Sequence, residues 1–179
     1  MNTQNVVDII DFKERKLKRK VELTSGIINL PIVLIFGTIL ELNDFSALLL
    51  LIIVALLVLP GLILHEGSHY LFQWFFSKKK PYFGFKFPFP FSALSPSSSI
   101  TRNQAILCAL APVFIVTTIL VIPALFAPLL LKILLLAWTS MELATCYGDF
   151  YLTYRLLKNP SDCRLKNVDN SNVLFKPTR

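Results

Sequence analysis

Residues 45–69 read FSALLLLIIVALLVLPGLILHEGSH, and two features of that stretch decide how the rest is read. From Phe45 to Leu64 run twenty residues without a charge. As a helix such a run covers about 30 Å, the thickness of a bilayer core. The next five residues, 65–69, form an H-E-x-x-H pattern that uses both histidines of the chain. Positions i and i+4 lie on one helical face, so His65 and His69 can grip one metal ion. Glu66 is turned partly aside, where a carboxylate can take the proton of a metal-bound water. Ionisable groups at membrane depth are costly without partners, which argues for a metal site over a chance match on a surface helix.

The composition agrees with a membrane protein: 54% hydrophobic, 15 Phe and a mean hydropathy of +0.61. A length of 179 residues allows one domain or one helical bundle. The net charge of +7 is compatible in principle with nucleic acid, but the basic residues flank apolar spans and form no separate domain, so no nucleic-acid partner is expected. Cys108, Cys146 and Cys163 have neither disulfide nor zinc-finger spacing and read as reduced thiols. Cys146 precedes Asp149 by one helical turn and is a candidate neighbour of the site. The long, charged amino-terminal tail and the length of the first apolar run argue against a secretory signal peptide.

The expected fold is an all-α integral membrane protein, a bundle of about four transmembrane helices with a small β-hairpin or extended loop at the cytosolic membrane surface. Residues 1–22 form a basic cytosolic segment, a short juxtamembrane helix drawn to anionic lipid or a plain topology signal. The membrane domain is 23–157, with spans at about 23–40, 45–76, 103–122 and 129–157. Residues 158–179 are expected to be a polar, poorly packed cytosolic tail. Between the second and third spans, Phe83, Phe85, Phe87, Phe89 and Phe91 alternate with strand periodicity, while Pro88 and Pro90 exclude a helix. Successive N–H groups point to opposite edges of a strand. The edge carrying the N–H groups of Phe87, Phe89 and Phe91 is therefore intact and is a candidate for pairing with a substrate, as is the return strand expected from Ile100 after the turn-like stretch Ser92 to Ser99. The competing role for these rings is to anchor the loop in the interface.

Charge fixes the expected orientation. Six Lys or Arg lie in the amino-terminal tail, five at 77–102 and six from Arg155 onward, and Lys132 alone falls on the other side. That asymmetry places both termini of a multi-pass cell-membrane protein in the cytosol. The second and fourth spans then run the same way. His65 lies twenty residues after Phe45 and Asp149 twenty-one after Pro128, so their depths match. A catalytic zinc takes three protein ligands and a water, and with no third histidine the last ligand must be Asp, Glu or Cys. Asp149 is preferred. Glu142, about 10 Å shallower on a straight helix, is the alternative ligand or an outer partner. Gly148 is expected to let the helices approach beside Asp149. Asn103, Thr139 and Ser140 are polar enough to stabilise an oxyanion, but nothing in the sequence assigns them.

The H-E-x-x-H at 65–69, Ala-Leu-Ala-Pro at 109–112 and Gly-Asp at 148–149 resemble a family of membrane zincin peptidases, small bacterial proteins related in plan to site-2 proteases. The resemblance covers roughly residues 45–160 and implies Zn2+ held by His65, His69 and Asp149, with Glu66 as base. The chain departs from true site-2 proteases, which carry Asp-Gly on the ligand-bearing helix where this sequence has Gly-Asp-Phe, and no accessory domain is visible. The expected activity is a zinc metalloendopeptidase acting on protein or peptide substrates in or near the lipid bilayer. The rival is a non-catalytic, metal-stabilised membrane scaffold that binds partner proteins, against which Glu66 argues. A metal or solute transporter is weaker still, because no second set of polar residues forms a path across the outer half unless Glu142 is one step of it. Substrate and oligomeric state are not encoded legibly.

Overall fold

The computed structural model describes residues 6–10, 15–42, 47–86, 89–168 and 171–177. Among these, five helices form the body of the molecule: α1 (Arg15–Glu41), α2 (Ala47–Ser77), α3 (Arg102–Phe126), α4 (Leu129–Thr145) and α5 (Tyr147–Leu157). Within α1, Arg19–Ile39 is long and apolar enough to cross a membrane, as is α3. The α4/α5 pair, bent by 42° around Cys146, passes the same test as one broken span. Prolines 31, 60, 112 and 123 sit inside these helices, which membrane helices tolerate when neighbours satisfy the freed backbone groups. The start of α3 is fixed by a capping box: the Thr101 hydroxyl accepts the Gln104 N–H, and the Gln104 side chain accepts the Thr101 N–H.

The basic stretch at the amino end is the opening of α1 rather than a separate helix. Lys, Arg and Leu are good helix formers, and nothing breaks the run before Gly26. The close helix approach also lies elsewhere than expected. A Cβ at Gly148 would meet Val21 at an ordinary 3.6 Å, whereas one at Gly61 would meet the Trp138 indole nitrogen at 2.8 Å. It is therefore Gly61 that lets α2 come against α4.

The chain is not all-α. Strands β2 (Tyr82–Lys86) and β3 (Phe89–Ala93) pair as a hairpin, with Gly84 opposite Phe91 and Phe83 opposite Ser92. Both arms thus fall within 82–93, where the expected hairpin had one strand over 83–91 and its return from Ile100; Ile100 pairs with Leu165 instead. Phe87 and Pro88 lie outside the described residues. A second, four-stranded antiparallel sheet has the order β1-β6-β5-β4, from β1 (Val6–Ile10), β6 (Ser171–Phe175), β5 (Arg164–Val168) and β4 (Ile100–Thr101). The carboxy-terminal residues are thus a packed hairpin and not a loose tail. The reason is burial: Cys163, Leu165 and Leu174 join Ile10, Leu94, Ile100, Ala105, Cys108 and Leu156 in one core where the sheet meets α3 and α5. Leu156 and Leu174 are completely buried, each contributing about 2 kcal/mol of apolar transfer. At the edge of this core the Arg155 guanidinium holds Asp8 at 2.6 Å, and the Asn159 amide donates to the same carboxylate, which ties β1 to the end of α5.

Candidate metal centre

The i, i+4 spacing on α2 brings the His65 and His69 rings edge to face, with centroids 4.9 Å apart. His65 is buried and His69 half-buried. The first turn of α5 supplies Asp149, whose Oδ2 lies 3.2 Å from His65 Nε2 and whose Oδ1 lies 3.2 Å from His69 Nε2. The far nitrogen of each ring has its own partner. His65 Nδ1 is 2.7 Å from Glu142 Oε1 on α4, and His69 Nδ1 is 2.7 Å from the Cys108 carbonyl oxygen on α3. Four helices therefore converge on two imidazoles.

The hydrogen bonds constrain the ring protons. A carbonyl oxygen only accepts, so the proton of a neutral His69 sits on Nδ1, and an ionised Glu142 requires the same of His65. Each Nε2 then either carries a second proton and donates to the Asp149 carboxylate as an ion pair or, with its ring neutral, presents a lone pair that a cation can bridge to that carboxylate. Two imidazole nitrogens and a carboxylate are the donors zinc takes, and ligands about 2.0–2.1 Å from a tetrahedral zinc lie about 3.3 Å from each other. The 3.2 Å separations match that spacing, and the outer partners of both rings complete the usual second layer of a histidine-zinc site. The residues present fit zinc.

His65, Glu142 and Cys146 form a second grouping of possible ligand atoms. It uses the opposite nitrogen of His65. At 2.7 Å, Glu142 is at hydrogen-bond range of that nitrogen, too short for an ion to lie between, while the Cys146 sulfur is 3.9 Å away. Glu142 and Asp149, seven residues apart on the α4/α5 pair, reach the two nitrogens of the same ring. This arrangement favours Glu142 as the outer partner and makes Cys146 a neighbour. The three cysteines are free and buried.

Glu66 is held by a residue that sequence reasoning missed. Its Oε2 accepts both the Ser92 N–H at 2.7 Å and the Ser92 hydroxyl at 2.9 Å. Nothing local marks Ser92, because its position beside Glu66 depends on the hairpin register. That register also corrects the expected substrate edge. Since the Ser92 N–H points out of the hairpin to Glu66, the alternation of a strand turns the N–H groups of Phe89 and Phe91 inward to β2. The free edge of β3 instead carries the Ser92 N–H and the carbonyls of Pro90 and Ser92. Phe87 lies outside the described residues. Thr139 and Ser140 donate to the Leu135 and Leu136 carbonyls of their own helix, and Asn103 accepts from Arg102, so none of the three is drawn to the metal centre by these bonds.

Residues 58–164, more than half of the chain, match the model of a family described as "Putative zincin peptidase". The match contains the H-E-x-x-H, the hairpin, α3 and Asp149. No curated protein and no solved structure matches the chain.

Proposed function

The chain belongs to that zincin peptidase family, and from this premise we propose that it is a membrane-embedded zinc endopeptidase of the H-E-x-x-H type, site-2-protease-like in plan. In this reading His65, His69 and Asp149 hold the zinc and Glu66 is the catalytic base. The observation that carries it is the meeting of both Nε2 atoms with one carboxylate while each ring's Nδ1 is already engaged. A zinc ion held there lowers the pKa of its water and polarises the scissile carbonyl. Glu66 keeps Oε2 on Ser92, which leaves Oε1 to accept the water's proton and later return it to the leaving amine. Glu142 and the Cys108 carbonyl hold the two rings in the orientation the ligands need.

The membrane reading has four spans: α1, α2, α3 and the broken α4/α5 pair. The length and uncharged first half of α2 support its inclusion. The shared sheet supports a common side for both termini and the 77–102 loop, since β1 pairs with β6 and β4 with β5. The charge asymmetry makes that side the cytosol. The substrate is an extended segment of a membrane or membrane-proximal protein. An apolar groove lined by Leu64, Leu71, Tyr82, Phe83, Ile115 and Ile119 runs beside the hairpin and supports that class.

The test compares membranes from cells expressing the wild type and Glu66→Gln, together with the zinc content of each purified protein. About one zinc per chain is expected in both, with one or more membrane proteins left uncleaved only in the variant. Identical membrane proteomes with zinc bound in both would favour the scaffold.

A further inference from the structure

A proline inside a helix has no N–H for the carbonyl four residues before it, and its ring pushes that carbonyl aside. The four prolines inside helices here free the carbonyls of Ile27, Leu56, Cys108 and Ile119. Three of these residues lie on the outside, with Ile27 and Leu56 70% exposed and Ile119 50% exposed. The fourth, Cys108, is buried, and so is Pro112, which frees its carbonyl. The Cys108 carbonyl oxygen is also the atom that accepts the His69 Nδ1 proton at 2.7 Å. An ordinary residue at 112 would aim its own N–H at that oxygen along the helix axis and compete with the imidazole for it.

We propose that Pro112 is a positioning residue of the metal centre: by keeping a backbone N–H away from the Cys108 carbonyl, it supplies the acceptor that holds His69 with Nδ1 protonated and Nε2 turned toward Asp149. A buried acceptor left unpaired is costly, so the freed carbonyl and the imidazole N–H stabilise each other. Ala105, Ala109 and Ala111 around it are buried as well, and small buried residues let helices approach closely. This gives the Ala-Leu-Ala-Pro segment a chemical task although none of its side chains carries a reactive group. The role as a metal-positioning residue rests on the assignment of His69 as a zinc ligand.

The test uses the full-length protein in detergent, with zinc affinity measured by competition against a chelator and thermal unfolding followed on the metal-free form. Pro112→Ala should weaken zinc binding about tenfold, the low end of what loss of an outer partner costs. Its unfolding temperature should hold or rise, because the helix gains a hydrogen bond and a better helix former. Pro123→Ala, in the same helix and four residues after the exposed Ile119, should leave zinc affinity unchanged. A merely structural proline would show the opposite pattern, with stability changed and metal affinity kept. A folded Pro112→Ala that binds zinc within twofold of the wild type would overturn the proposal. Ring-nitrogen NMR of the metal-free wild type, assigned with His65→Gln, decides independently, and does so even where Pro112→Ala does not fold. Read at a pH where the His69 ring is neutral, a proton on Nδ1 supports the proposal, and a proton on Nε2 overturns it. Wild-type protein that binds no zinc would instead remove the peptidase reading, while the NMR result still reports on the hold that the Cys108 carbonyl has on His69.

Discussion

The metal centre and the terminal sheet lie at the two ends of α5 and are built on different terms. Asp149 opens that helix and meets the two histidines through a handful of polar contacts, each with one partner and one geometry. Leu156 closes it and packs among apolar residues from β1, β4, β5, β6 and α3. Polar groups at a metal centre fail singly, because removing one leaves its partners with uncompensated lone pairs or charges. Apolar burial fails by degrees, because each side chain adds area to a shared total. Substitutions at the two ends should therefore separate metal binding from stability.

The largest effect is expected at the polar end. Asp149→Ala should empty the site and abolish turnover, since the two imidazoles alone are one ligand short of a catalytic zinc. Glu142→Ala should keep the metal but weaken it about 10–100-fold, as loss of an outer partner does. Zinc content after dialysis against a weak chelator separates the two. An empty site in Glu142→Ala beside a loaded Asp149→Ala would exchange their roles. At the apolar end, Leu174→Ala should lower stability by about 2–5 kcal/mol, the cost of a truncated core leucine. The folded fraction should still carry its zinc, and a loss of metal in folded Leu174→Ala would mean that the sheet sets the position of Asp149.

The same contrast explains what the sequence made legible. His65, Glu66 and His69 are close in sequence and one helical period places them, so their chemistry could be read directly. The place of Asp149 beside the two histidines was anticipated by matching depths along two helices, because membrane thickness supplies a ruler that soluble chains lack. The four-stranded sheet escaped because its partners come from residues 6–10, 100–101 and 164–175, and no local period encodes such pairing. A weak local sign was the turn-type pair Asp169-Asn170 standing between Val168 and the apolar run Val173-Leu174-Phe175 inside what read as a polar tail, but neither flank alternates. Contacts made by the backbone were equally hidden. The Cys108 carbonyl and the Ser92 N–H belong to residues whose side-chain types point to no such task.

Ser92 gives the smallest expected effect and the finest test of how the hairpin serves the centre. Its hydroxyl and its N–H both hold Glu66 Oε2, so removing the hydroxyl leaves one of two bonds in place. Ser92→Ala should therefore lower kcat only about tenfold, the value of roughly one hydrogen bond to a charged group. KM and zinc content should stay at wild-type levels, because neither substrate nor metal depends on that hydroxyl. Ser92→Thr keeps the hydroxyl and suits a strand, so it should restore the rate. The assay uses whichever membrane protein accumulates uncleaved with Glu66→Gln. A rise in KM at constant kcat would show instead that Ser92 acts on the substrate along the free edge of β3, and would move the hairpin's task from orienting the base to docking the chain it cuts.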